Sequence, residues 1–248
     1  MKSHFLFVLS ICPCICILSL FIYSSHLSKP NRLFKVGKEY VLVKQDSPIV
    51  SWHETMKKYL KLPLDNHYGS HAIVLLAAAY VCNQGPILEL GMGSTSTPLL
   101  HKLALDQKRR LVSADSDRQW TNQFLTLFGN KTSHRIRHVE VQSETGFEWS
   151  LAGLSDLENW TIVLIDHRPG PRRQFELMLY SQRSDLVVLH DTEQHRMYKY
   201  DKGLEEYSFR YRFTKLKTFT DVLSSKNESI VQRIHYLLET TPDSYFVN

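Results

Sequence analysis

Glycine and proline are scarce, ten and nine in 248 residues, and so is any excess of one charge. Thirty Lys plus Arg stand against 25 Asp plus Glu, a formal net charge of +5. The first scarcity excludes a fibrous or low-complexity chain. The second excludes the concentrated basic face that a phosphate backbone requires, so nucleic acid is not an expected partner. With 43% hydrophobic residues, disorder over most of the length is excluded too. Cysteine is the third scarcity: of four, Cys12, Cys14 and Cys16 crowd one apolar segment near the start, which leaves Cys82 as the single thiol beyond it. No disulfide framework is possible there, and no Cys/His spacing suits zinc. Cys82 ends the apolar stretch that begins at Ala72 and reads as a core residue, not a nucleophile.

Charge is also missing from FLFVLSICPCICILSLFIY, Phe5 to Tyr23, a run long enough to cross hydrocarbon. It reads as an uncleaved membrane anchor, with a signal peptide as the alternative, because no clear small-residue cleavage pattern follows. Lys29, Arg32, Lys35 and Lys38 behind it favour a cytosolic domain, whereas sequons beginning at Asn130, Asn159 and Asn227 favour a luminal one. The expectation is a single-pass glycoprotein of the secretory pathway, in the ER or Golgi, with the cytosolic orientation as its rival. Residues 1–23 would be the anchor, which makes the membrane a partner, 24–47 a basic stem and 48–248 the folded domain.

Within that domain, short β-branched runs alternate with helical stretches: Ile87 to Leu90, Leu111 to Ala114, His138 to Val141, Ile162 to Ile165, and Leu186 to Leu189. Repeated βα units of this kind predict a parallel sheet. Tyr207 to Phe213 alternates aromatic and polar residues, as a half-buried strand does, and Phe219 to Leu223 is its natural antiparallel partner. The fold class is therefore α/β: a doubly wound, Rossmann-like sheet of seven strands, five parallel and the last two antiparallel, behind an N-terminal membrane helix.

The first run enters a glycine turn, Glu89-Leu90-Gly91-Met92-Gly93-Ser94, followed by helical spacing from Thr95. A ligand crossing such a turn meets unshielded backbone amides. As a dinucleotide fingerprint it fails, because Ser96 stands where the third Gly or Ala belongs. Glu89 would repel a pyrophosphate but suits the ammonium of an amino-acid ligand, directly or through water. Asp115, at the end of the second run, can accept both hydroxyls of a ribose. Asp117 instead suits the cap of a helix that begins near Arg118. Together these features resemble the cofactor site of class I S-adenosylmethionine-dependent methyltransferases. The resemblance implies S-adenosylmethionine as cofactor, contacted by Glu89, Gly91, Gly93, Ser94 and Asp115, with Ser143 among the polar residues near the adenine.

The fourth and fifth runs end in Asp166-His167-Arg168 and His190-Asp191-Thr192. Adjacent parallel strands are about 4.8 Å apart, so Asp166 and Asp191 can converge outside the sheet's carboxyl edge, as oxygen ligands of a hard divalent cation do. The Asp-His pair ending the fourth strand resembles small-molecule O-methyltransferases of the catechol O-methyltransferase type. That group holds magnesium through two Asp and an Asn, which implies Asp166, Asp191 and Thr192 as ligands of magnesium or manganese. Thr192 departs from the amide of that pattern, and Pro169 stands near where the group has its catalytic Lys. The His-Asp ending of the fifth strand resembles bacterial sugar and macrolide O-methyltransferases. His167 would also stack on the cofactor, beside Asp166. His167 or His190 would be the general base if no metal is used. Arg168, Arg172 and Arg173, on a Pro-stiffened loop, suit an acidic group on the substrate, although Arg172 or Arg173 can also pair with Glu176.

The expected function is methyl transfer from S-adenosylmethionine to an oxygen of a small molecule or glycan bearing acidic groups. Catalytic residues would be Asp166, His167, His190 and Asp191. A catalytically silent binding protein of the same fold is the first rival, and a nucleotide-dependent oxidoreductase the second.

Overall fold

The computed structural model describes residues 32–36, 39–43, 48–65, 70–129, 133–142, 146–152 and 159–247. The apolar run from Phe5 to Tyr23, the sequon at Asn130 and Ser143 lie outside them. Among the described residues no helix is long and apolar enough to cross a membrane. The expectation of a single-pass membrane protein of the secretory pathway is corrected accordingly.

Two units separate, residues 1–51 and 52–248. The first contains an antiparallel pair, β1 (Arg32–Val36) and β2 (Glu39–Val43), in register from Arg32 opposite Val43 to Val36 opposite Glu39. It falls within the stretch taken for a stem. The Tyr-Val-Leu-Val run is β-forming in spite of its basic surroundings.

The second unit is built on a seven-stranded sheet. Its strands are β3 (Ile87–Leu90), β4 (Leu111–Asp115), β5 (His134–His138), β6 (Trp160–Ile165), β7 (Ser184–His190), β8 (Phe209–Phe213) and β9 (Thr220–Ser224). The order is β5-β4-β3-β6-β7-β9-β8, with β9 antiparallel to both neighbours. This is the order expected of the Rossmann-like methyltransferase fold. The pairing of the last two strands agrees with the sequence. The third parallel strand does not: it lies at His134–His138 instead of His138 to Val141. It is an edge strand with His134 and Ile136 turned inward and Arg135 exposed, so its apolar content is too thin to mark it.

Helices cover both faces. On one, α1 (Pro48–Tyr59), α2 (Ser70–Val81), α3 (Ser96–Asp106) and α8 (Glu228–Glu239) share a core with Ile87, Leu111, Leu164 and Val188. From Ser70 to Ala79 every residue of α2 is buried, as an all-round apolar helix must be. The other face packs Leu90, Val163 and Leu189 against Trp149, Tyr200 and Leu177 of α5 (Arg173–Ser181). The helix α4 (Arg118–Phe128) lies against β4 and β5, and the short α6 (His195–Tyr198) and α7 (Asp201–Leu204) follow β7. Cys82 is buried and free. Asn227 accepts from the Ile230 amide as the N-cap of α8, so this sequon asparagine has a structural role.

Register fixes the site. Leu90 pairs with Ala114 and Ile165, and Ile165 with Leu189, so Gly91, Asp115, Asp166 and His190 leave the sheet level with one another at its carboxyl edge. The chain reverses its winding between β3 and β6, the place where open α/β sheets bind ligands.

Candidate active site

The turn after β3 is held from three sides. At Gly91 the backbone has φ +93°, and a Cβ would lie 2.5 Å from the Asp166 carbonyl carbon and 2.6 Å from the His167 nitrogen. Only glycine lets the ends of β3 and β6 come so close. Below the turn, Glu89 is fully buried; its Oε1 accepts from Thr97 Oγ1 at 2.9 Å, and that hydroxyl accepts from the Gly93 amide at 3.0 Å. Burial pushes the Glu89 carboxyl up to about 7. Glu89 therefore braces the turn from beneath through Oε1, while its Oε2 has no hydrogen-bond partner among the described residues. In front, Asp115 accepts from the amides of Met92 at 2.7 Å and Asp117 at 2.8 Å, tying the turn after β3 to the turn after β4. Asp117 caps α4 through the Trp120 amide, as its spacing predicts.

Asp166 and Asp191 do converge. Their carboxylates and His190 bring one ligand atom each within 4.8 Å of one another. Asp191 reaches this position from a left-handed backbone, φ 59°, which Asp tolerates better than most residues. Between the two carboxylates stands Arg173. Its Nη2 is 3.0 Å from Asp166 Oδ1 and its Nη1 3.5 Å from Asp191 Oδ2. Its Nε donates to the His167 carbonyl at 2.7 Å, and Nη1 also to the His190 carbonyl and the Tyr200 hydroxyl, both at 3.2 Å. Burial, which opposes charge, is outweighed by Asp166, Tyr200 and Asp191, so the guanidinium is held above its ordinary value. Burial pushes Asp166 up to about 6 despite Arg173, leaving it ionised at neutral pH.

A divalent cation fits this donor set poorly. Thr192, expected as the third ligand, is fully buried and donates to Asp221 Oδ1 at 2.9 Å, on the far side of β7 in the cluster that also holds Arg212. The ligand role of Thr192 is thereby corrected: its hydroxyl serves the β7–β9 junction. The substrate roles of Arg172 and Arg173 need the same correction. Arg172 is buried with Glu176 Oε1 at 2.9 Å and with Ser150, and Arg173 is consumed as described. Arg168 and Arg173 both line the cavity, but of the three only Arg168 is exposed.

The two expected histidines are engaged. His167 stacks on Trp149, ring centroids 4.3 Å apart, and its Nε2 shares a hydrogen bond with Glu176 at 3.1 Å. His190 shares hydrogen bonds with Thr220 at 3.2 Å through Nδ1 and with Thr218 at 2.9 Å through Nε2. A third imidazole went unnoticed in the sequence. His71, at the start of α2, is 5% exposed, lines the cavity, and has no hydrogen-bond partner on either ring nitrogen among the described residues. It meets the edge of His190 at a centroid distance of 4.4 Å. Burial and His190 lower it to about 4, so it is neutral at pH 7. The one sequence signal for it is a titratable side chain opening an otherwise apolar helix.

These groups line one cavity of about 1100 Å³, bounded by the glycine turn and Asp115 at one end and by His71, Asp166, Asp191 and Thr218 at the other. That exceeds the roughly 300–1,000 Å³ of ordinary small-ligand pockets, so it has room for two ligands side by side.

No protein-family model matches the chain, and no curated protein matches it. Among solved structures it is similar to a putative O-methyltransferase from Klebsiella pneumoniae, at 12% identity over 84% of this chain and 96% of that one, TM-score 0.47. It is also similar to the O-methyltransferase TomG from Streptomyces achromogenes in complex with SAM, at 16% identity over 84% and 96%, TM-score 0.45. The O-methyltransferase from Bacillus cereus in complex with SAH matches at 9% identity over 83% and 97%, TM-score 0.44. Likenesses this distant carry no weight for what this chain binds or does.

Proposed function

We propose that this chain is an S-adenosylmethionine-dependent methyltransferase acting on a hydroxyl of a small molecule or glycan. One observation carries the reading: one cavity of about 1100 Å³ runs from the glycine turn and Asp115 to His71 and Asp191, at the switch point of a sheet with the expected strand order. Gly91, Gly93 and Ser94 offer backbone to the amino-acid part of the cofactor, and Asp115 accepts from the ribose hydroxyls. His167, stiffened by Trp149 and Glu176, forms the wall beside them. When bound, the cofactor supplies a methyl group on a sulfonium.

The chain's own part is alignment and proton transfer. The acceptor hydroxyl sits against His71, whose unprotonated ring nitrogen takes its proton. The His71 imidazole would hold the proton released by the acceptor oxygen, as the methyl group and the positive charge of the bound cofactor are given up together. Asp166 and Asp191, whose two charges exceed the one on Arg173, stabilise the imidazolium across the cavity. Arg168 at the mouth suits an acidic group on the acceptor.

The test is calorimetry of the folded chain with S-adenosylhomocysteine, followed by a labelled-methyl screen of phenols, polyols and acidic oligosaccharides. One equivalent bound, with methyl uptake by a hydroxyl compound, is expected. Absence of binding ends the reading, and binding without turnover across the panel favours a catalytically silent protein.

A further inference from the structure

We propose that Arg173 is the resident cation of this site, occupying the position of a divalent metal, so that the acid pair at the ends of β6 and β7 works without one. For its catalytic meaning the proposal rests on the methyl-transfer reading; its structural content does not.

Two carboxylates at adjacent strand ends repel unless something positive lies between them. A metal is one solution, and it needs several open oxygen or nitrogen ligands converging on an empty point. Here the point is taken. The Arg173 guanidinium reaches Asp166 at 3.0 Å and Asp191 at 3.5 Å, and the residue is 3% exposed. Its Nε and Nη1 also donate to the carbonyls of His167 and His190, at the ends of the same two strands or just beyond, and to Tyr200. The Tyr198 ring lies against it, 5.1 Å from ring centroid to guanidinium carbon. A divalent ion chelated by Asp166, His190 and Asp191 would meet this fixed charge within the same shell, and like charges at such range cost several kcal/mol outside bulk water. The hydroxyl of Thr192, expected as the third ligand, is turned away to Asp221. His190 Nε2 is shared with Thr218 and Asp191.

The same hydrogen bonds make Arg173 a clamp on the two strand ends, so loss of stability alone would not separate a cation from a brace. Metal acquisition separates them. Removing the guanidinium but keeping an apolar stem, as in Arg173→Met, leaves two carboxylates and an imidazole within chelating distance of one another. Such a site should recruit a cation.

The experiment is a manganese titration of the whole chain followed by electron paramagnetic resonance, with near-UV circular dichroism as the check on folding. Wild-type protein is expected to show no saturable site below about millimolar manganese. Arg173→Met should gain one equivalent bound at least roughly tenfold tighter. Arg173→Met/Asp191→Asn should lose it again, and Arg173→Lys, which restores the charge, should stay metal-free. A wild-type chain that binds one manganese and loses it in Asp191→Asn overturns the proposal, whether or not the variant folds. A folded Arg173→Met chain that stays metal-free overturns it as well. Binding of S-adenosylhomocysteine is measured in parallel; its absence would end the methyl-transfer reading and leave the manganese result standing.

Discussion

At the scale of single residues, the cavity separates groups that hold a ligand from groups that hold the wall. Asp115 belongs to both, because its carboxylate accepts two backbone amides and still lines the cavity. Asp115→Ala should therefore weaken S-adenosylhomocysteine binding by more than the loss of one neutral hydrogen bond, about 1.5–3 kcal/mol, or roughly 10- to 150-fold in calorimetry. Equal affinity in a folded variant would remove Asp115 from the cofactor site. His71 makes no hydrogen bond among the described residues, so its removal breaks no hydrogen bond there. With an acceptor in hand, His71→Asn should lower kcat by about 10²- to 10⁴-fold while cofactor affinity stays within about twofold. A variant that keeps its kcat would return the proton to His190 or to solvent.

At the scale of elements, the glycine turn shows what strand register demands. The end of β3 touches the end of β6 at Gly91, where a methyl group would collide with backbone that cannot move independently of the sheet. Gly91→Ala should lower the urea midpoint by the equivalent of at least about 2 kcal/mol and abolish cofactor binding, whereas Asp117→Ala, a lost cap on α4, should cost only about 1 kcal/mol. Similar midpoints for the two would mean that the turn relaxes. The same contrast explains what the sequence discloses. Strands β3, β4, β6 and β7 are legible because, buried among neighbours, they must be largely apolar, with Glu89 and Ser113 as buried exceptions. The edge strand β5 is not, since one of its faces is spared that demand. Asp166 and Asp191 are legible because a charged residue directly after a buried strand has little other reason to be there. Arg173 reads as a substrate ligand from its loop, and only the return of α5 against the sheet edge reveals that its charge is already spent. His71 lies before the first strand of the sheet, and nothing local connects it to residues a hundred positions later.

At the scale of the whole molecule, the buried ionisable groups pull stability against pH in opposite directions. His71, His134 and His190 are lowered to about 4 by burial from an ordinary 6.5. Between those values the unfolded chain binds protons that the folded chain refuses, so their contribution is intact above about 6.5 and is lost as pH falls toward 4. Glu89 and Asp166 behave oppositely. Raised to about 7 and about 6 from 4.5 and 3.8, they keep protons that the unfolded chain has released, so they cost stability increasingly as pH rises through that range. Burial also lowers His53 and His167 and raises Asp115, so five groups against three leave a net rise in stability from about pH 4 to 6, flatter than the histidines alone would give. Glu89 is the member that can be removed cleanly, because Gln at this position still offers an oxygen to Thr97 and the turn above it. Glu89→Gln should therefore match wild type in urea unfolding near pH 4.5, where both carry a neutral side chain, to within the cost of the exchange itself. Its advantage should then grow as pH is raised to 7.5, by on the order of 2–3 kcal/mol for a shift of this size. A difference between the two proteins that stays constant across that range would mean that Glu89 is ionised beneath the glycine turn at its ordinary pH, and that water or a counter-charge reaches it there.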